Sequence, residues 1–141
     1  DVNLALKVHA NGVHLGQQDC DVKTARTILG EHAIIGVSAR TVMDATKAEQ
    51  NGADYLGSGA VFGTATKEDA RFLGVDQFSE ICRAVNIPVV AIGGVSLQNI
   101  PQLKGTSASG VAVVGGLFGS ENPKMAAQQF VAVINESIGM E

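Results

Sequence analysis

The sequence predicts an α/β fold built of repeated strand and helix units on a parallel sheet. Three observations predict it. Short apolar runs recur at near-regular spacing, amphipathic runs of helical period lie between them, and glycine or a small polar residue follows nearly every apolar run. The apolar runs begin near residues 12, 33, 54, 88 and 110, intervals of about 21, 21, 34 and 22 residues, which is the range of a strand plus its crossover helix. Strands apolar on both faces with helices between them imply that the sheet is parallel.

Taken in order, Val2 to Val8 fits a short amphipathic helix, closed by Asn11-Gly12 as a turn or C-cap. Gly12 to Gly16 is the first strand. Asp21 is a natural N-cap for a helix from Val22 to Leu29 that stops at Gly30. Ala33 to Val37 is the second strand, ended by Ser38, and Thr41 to Gln50 has helical spacing before Asn51-Gly52. The third strand, Asp54 to Gly57, runs into the glycine- and threonine-rich stretch that ends on Lys67. A helix from Val75 or Asp76 through Val85 carries Phe78, Ile81, Cys82 and Val85 on one face. Ile87 to Ile92 is the fourth strand, with Pro88 tolerable only near its start. Ser96 caps a short helix from Leu97, with Pro101 in its first turn or kinking it. Gly110 to Val114 is the fifth strand, and Pro123 to Ile134 a closing amphipathic helix.

Two parallel architectures compete for this pattern. A doubly wound sheet needs a switch point and usually a GxGxxG turn opening a helix, and no such turn occurs. A (β/α)8 barrel, the TIM-barrel architecture, gathers its functional loops at the C-terminal ends of its strands, where Asp19, Ser38, Thr64 to Lys67, Gly94 and Gly115 fall. The barrel is preferred. Five strands cannot close it, and Asp1 opens directly on a helical pattern with no initiating Met. Residues 1–141 therefore read as a single domain, the C-terminal portion of a barrel, supplying about its last five β/α units and lacking its N-terminal strands.

Composition narrows the partners. At 141 residues and 45% hydrophobic the chain is long enough for one packed core. A net charge of -4 without basic blocks, and only 4% aromatics for stacking on bases, argue against nucleic acid. No apolar run approaches the roughly 18 residues of a membrane span, and no signal peptide is visible. Cys20 and Cys82 lack any CxxC spacing and read as free thiols in a reducing, cytoplasmic setting.

The residues that could carry chemistry each admit a plainer reading. Asp19 offers a hard oxygen of the kind that binds Mg2+, which takes one or two protein carboxylates plus substrate phosphates; an Asp in such a loop is equally a cap or turn residue. Thr64, Thr66 and Lys67 offer hydroxyls and a point charge to phosphate, or form a solvated loop. The long interval that contains them is where function or disorder is expected. Gly93-Gly94 and Gly115-Gly116 end the last two strands, where barrels often bind phosphate through N–H groups, although glycine also merely permits tight turns. His14 alternates with Val13 and Leu15 and is read as structural. No Ser-His-Asp order, HExxH or Cys-His metal spacing supports acyl transfer or zinc chemistry.

Five segments together carry a family likeness: Gly12-Val13-His14-Leu15-Gly16-Gln17-Gln18-Asp19; Ile35-Gly36-Val37-Ser38; Gly52 to Gly57 with Val61 to Lys67; Pro88 to Gly94; and Gly110 to Val114. In this order and spacing they resemble thiamine-phosphate synthases. The first and fourth segments also suit the related thiazole tautomerase, which usually has a His where this chain has Ser38-Ala39-Arg40. The resemblance implies a barrel that joins hydroxymethylpyrimidine diphosphate to thiazole phosphate with Mg2+. By position it implies Asp19 as a magnesium ligand, Ser38 and Lys67 as pyrimidine-diphosphate contacts, and Thr64, Ala65, Thr66, Gly94, Val114 and Gly115 as thiazole-phosphate contacts. A second family Asp and the Gln-x-Arg-x-Lys motif would lie upstream of Asp1, so residues 1–141 alone are expected to be inactive. Gly115 stands where Ser is common, Gly63 where Pro is common, and Lys104 to Ser109 lacks the usual Gly-Ala-Asp-Gly. A non-catalytic phosphate-binding domain on the same scaffold is the alternative from another class.

Overall fold

A computed structural model describes residues 1–63 and 72–139. Its centre is a five-stranded parallel sheet in the order β1-β2-β3-β4-β5, with β1 at Gly12–Leu15, β2 at Ile34–Ala39, β3 at Tyr55–Gly59, β4 at Val89–Ile92 and β5 at Gly110–Ala112. Spatial order equals chain order. A doubly wound sheet reverses at a switch point, so this topology excludes it. The sheet is that of a singly wound β/α repeat.

The pleat divides the sheet residues into two faces. One face carries Leu15, Ile35, Val37, Ala39, Leu56, Ser58, Val89 and Ala91, all buried. They form one core with Ala25, Ala45, Ala48, Phe78, Ile81 and Cys82 from the helices α2 (Val22–Leu29), α3 (Val42–Gln50) and α4 (Val75–Ala84). α2 and α3 bring mainly alanine to this core, and α4, packed against β3 and β4, brings Phe78 and Ile81. The opposite face carries His14, Ile34 and Ile92, all exposed, with Ile34 at 54% and Ile92 at 42%. Among the described residues that face stands open.

Among the described residues, four helix starts follow side-chain caps. The carboxylate of Asp1 accepts from Leu4 N at 3.0 Å to open α1 (Val2–Lys7), Asp21 accepts from Thr24 N at 2.9 Å, and Thr41 accepts from Asp44 N at 3.0 Å. Asn122 accepts from Met125 N at 3.1 Å, with Pro123 in the first turn of α6 (Pro123–Ile138). Each satisfies a donor that the first helical turn leaves without an internal partner.

Three local expectations are corrected. α1 ends before Asn11-Gly12, because His9 adopts φ 54° and Ala10 N reaches back to Ala5 O at 2.9 Å. Gly12 instead lets β2 approach, since a Cβ there would collide with the Ile34 carbonyl. Ser38 lies inside β2 rather than after it. Ser96 starts no helix: Asn99 accepts from Ser96 N and donates to the Gly94 carbonyl, both at 2.8 Å, and only a 3-10 turn at Ile100–Leu103 follows, with Pro101 in its first turn. Past β5, a short helix α5 (Gly115–Phe118) follows at once.

At the N-terminal ends of β2, β3 and β4, charged side chains bind the chain's own backbone. Arg26 donates to the carbonyls of Ala33, Glu31 and Gly52, and pairs with Asp54 at 2.8 Å. The same Asp54 oxygen accepts from Ile35 N at 2.6 Å, and Glu49 accepts from the N–H groups of Asn86 and Ile87 at 2.7 and 3.2 Å. Burial alone would raise the Asp54 pKa, but the Ile35 N–H and the Arg26 guanidinium outweigh it and hold the carboxyl below its ordinary value.

Candidate functional site

Because the strands are parallel, their C-terminal ends lie at one rim of the sheet. Asp19 follows β1 by a short loop, Ser38 is the penultimate residue of β2, Gly93-Gly94 follow β4, and Val114-Gly115 follow β5. The rim thus gathers the predicted positions that the structure describes. Thr64, Ala65, Thr66 and Lys67 lie outside the described residues. The described residues on either side of them also meet the rim: Phe62 N donates to Gly93 O at 3.0 Å, and Leu73 N donates to Ala60 O at 2.8 Å.

At the β1 end, Asp19 Oδ2 accepts from Gly16 N at 2.7 Å, which closes the turn and leaves the carboxylate's remaining lone pairs for another partner. Gln17 donates through Nε2 to the Ser38 carbonyl, tying this turn to β2. The plain reading of Asp19 as a turn residue is therefore correct as far as it goes. No group of three His, Cys, Asp or Glu side chains gathers as a metal cage among the described residues. A lone carboxylate suits a hard cation shared with ligand phosphates, and does not suit an all-protein cage. Beside Asp19, a crevice of about 200 Å³ opens between α2 and α3, lined by Gly16, Asp19, Asp21, Asp44, Lys47 and Asn51. It lies toward the helices and includes neither Ser38 nor Gly94, so it is a side crevice of the rim and not its centre.

The open face just below the rim holds a group that sequence reasoning left out. His14 Nε2 lies 2.9 Å from Ser38 Oγ, and His14 Nδ1 lies 3.0 Å from Tyr55 Oη. Desolvation lowers the His14 pKa, and the charge of Asp19 offsets this only in part. Two glycines make room for the pair. A Cβ on Gly36 would overlap the Tyr55 ring, and one on Gly57 would stand 3.1 Å from His14 Cε1. Glycine in the middle of an apolar strand is the signal that was available in the sequence.

At the β4 end, Gly93 and Gly94 have φ 90° and 67°, and a Cβ on Gly94 would run into the Phe62 carbonyl. Both residues are therefore fixed as glycine by the backbone itself. The second pair divides differently. A Cβ on Gly116 would stand 2.7 Å from the Phe130 ring of α6, whereas Gly115 faces open space beside Val114, which is 68% exposed. Gly116 is a packing residue, and Gly115 leaves backbone accessible.

The chain matches the family described as thiamine monophosphate synthase over residues 1–117. It is 46% identical over 135 residues to a thiamine-phosphate synthase of Clostridium tetani, covering 96% of this chain and 65% of that protein. A thiamine-phosphate synthase of Methanobrevibacter smithii is 42% identical over 130 residues, covering 92% and 62%. Among solved structures, thiamine phosphate pyrophosphorylase from Pyrococcus furiosus superposes with a TM-score of 0.89 at 38% identity, over 99% of this chain and 66% of that one. The chain thus spans just under two thirds of the length of these relatives.

Proposed function

The chain belongs to the thiamine monophosphate synthase family, and from that premise we propose that it forms the thiazole-phosphate side of a thiamine-phosphate synthase. The enzyme would be a transferase of thiamine biosynthesis, joining hydroxymethylpyrimidine diphosphate to thiazole phosphate and releasing pyrophosphate. Its architecture would be a (β/α)8 barrel in which residues 1–141 are one domain and supply about the last five units. The sequential parallel order, the open sheet face and the coverage of the relatives support that reading. The remaining strands would come from the same or another chain, and the setting would be cytoplasmic. In the described residues no helix is long and apolar enough to cross a membrane.

In this reading the methylene–oxygen bond of the pyrimidine breaks with its electron pair leaving on the diphosphate, and the thiazole nitrogen lone pair then forms the new carbon–nitrogen bond. No strong base is needed. The demand is neutralisation of charge on the leaving group. Magnesium, when bound, supplies part of that neutralisation. Asp19 would hold it through the lone pairs that Gly16 does not use. Lys67 would add a second positive charge, and Ser38 would orient the pyrimidine. Thr64, Ala65, Thr66, Gly94, Val114 and Gly115 would hold the thiazole phosphate through hydroxyls and N–H groups.

The observation that carries the proposal is the convergence of Asp19, Ser38, Gly94 and Gly115 on one rim. Calorimetric titration tests it. Thiazole phosphate is expected to bind the wild type and to weaken with Thr66→Ala, and pyrimidine diphosphate with magnesium is expected to weaken with Lys67→Ala and with Ser38→Ala. Thiazole-phosphate binding that ignores Thr66, pyrimidine-diphosphate binding that ignores Lys67, or binding of neither ligand, overturns it.

A further inference from the structure

We propose that Tyr55 and His14 form a relay that sets the polarity of the Ser38 hydroxyl, so that Ser38 presents its proton to an acceptor atom of the pyrimidine ligand. The inference rests on the reading of Ser38 as a pyrimidine contact. It assigns Tyr55 and His14 as positioning residues.

The argument starts from the two hydrogen bonds at the imidazole, 3.0 Å to Tyr55 Oη and 2.9 Å to Ser38 Oγ. A neutral imidazole has one donor and one acceptor nitrogen, so one hydroxyl must donate to it and the other accept from it. A phenol hydroxyl is a stronger hydrogen-bond donor than an aliphatic hydroxyl, because its conjugate charge delocalises into the ring. Tyr55 therefore donates to Nδ1. His14 then carries its proton on Nε2 and donates it to Ser38 Oγ. With that lone pair engaged, the proton of Ser38 is available to the open face. Removing the Tyr55 hydroxyl frees Nδ1 to be protonated, in which case Nε2 accepts from Ser38 and its proton is withdrawn from the ligand.

The surroundings are built for the pair. His14 and Tyr55 flank Gly36 in one register row of the same face, one from β1 and one from β3, with ring centroids 5.5 Å apart and planes at 41°. Gly36 and Gly57 forgo side chains in the interior of β2 and β3 to admit the two rings, a choice that costs strand stability. Packing alone would be better served by β-branched residues there.

Nitrogen-15 NMR of the histidine-labelled chain without ligand reads the tautomer, and calorimetry with hydroxymethylpyrimidine diphosphate and magnesium reads the consequence. The wild type is expected to show a protonated Nε2 and a bare Nδ1 on His14, and Tyr55→Phe to shift that ring toward the other tautomer. Affinity is expected to fall about five- to tenfold in Tyr55→Phe and similarly in Ser38→Ala, the worth of one hydrogen bond. The double variant should be no weaker than Ser38→Ala alone. A wild-type Nδ1–H tautomer overturns the relay, as does an additive double variant. Ser38→Ala with undiminished affinity instead overturns the underlying assignment of Ser38, a failure told apart because the tautomer is read with no ligand present.

Discussion

At the N-terminal ends of the strands Arg26, Glu49 and Asp54 turn their charges onto backbone groups of their own chain, whereas at the C-terminal ends Asp19, Ser38 and Gly94 make one or two internal bonds each and keep further capacity. The base pins three crossovers to the sheet and has its charge compensated. The rim is shaped by glycine backbone and small polar side chains beside an open face. In the proposed reading the same sheet separates stability from binding along its length, which is the division expected where strands run parallel and loops at one end are free to vary.

The comparison breaks most visibly if a rim change moves stability or a base change moves binding. Asp19→Asn keeps an acceptor for Gly16 N and removes the charge. It is expected to lower magnesium-dependent affinity for the pyrimidine diphosphate by about 10- to 100-fold, with the melting temperature held within a few degrees by circular dichroism. Asp54→Ala should do the reverse. It leaves Ile35 N and Arg26 without their partner, and because the Asp54 side chain is 44% exposed the expected loss is about 1–2 kcal/mol in urea titration, with thiazole-phosphate affinity unchanged.

Acid sharpens the contrast. Asp54 has a depressed pKa, so its contribution to stability is present above the ordinary carboxylate range and is lost as pH falls through the folded value, below about pH 4. His14 also has a depressed pKa, and for a base this means that the unfolded chain takes up the proton first. Its contribution is whole above 6.5 and is lost as pH falls from there toward the folded value. Urea midpoints should therefore fall in two steps, the upper flattened by His14→Gln and the lower by Asp54→Asn. The smallest effect is chemical. Cys20, exposed beside the rim, should react with a thiol reagent in the folded chain, while Cys82, on the buried face of α4 with its pKa pushed up to about 11, should react only on unfolding. Two fast thiols in the native chain would contradict the packing of α4.

Strand positions and helix starts were legible because both signals are local. The runs at Gly12, Ile34, Tyr55, Val89 and Gly110 are bounded by glycine or turn residues, and Asp21 caps the helix it precedes. Asn11-Gly12 misled because the turn signal served a strand's close approach and not a helix end. Ser96 misled because Asn99, three residues on, took its N–H. The departure at Lys104 to Ser109 also has a local answer: the buried Thr106 hydroxyl donates to Leu103 O at 2.6 Å and accepts from Ala108 N at 3.3 Å, folding the approach to β5 without the usual residues. The His14–Tyr55 pair was hidden for another reason. Its members are 41 residues apart, and only the register of three strands, with Gly36 between the rings and Gly57 leaving room beside His14, brings them together.

The most direct test of the account is amide chemical-shift mapping of the labelled chain with thiazole phosphate. The account predicts shifts gathered at the rim, on Gly94, Gly115 and the neighbours of Gly63, with Ile35, Asp54 and Asn86 at the base unmoved. Shifts centred on the base, or confined to the crevice between α2 and α3, would contradict it.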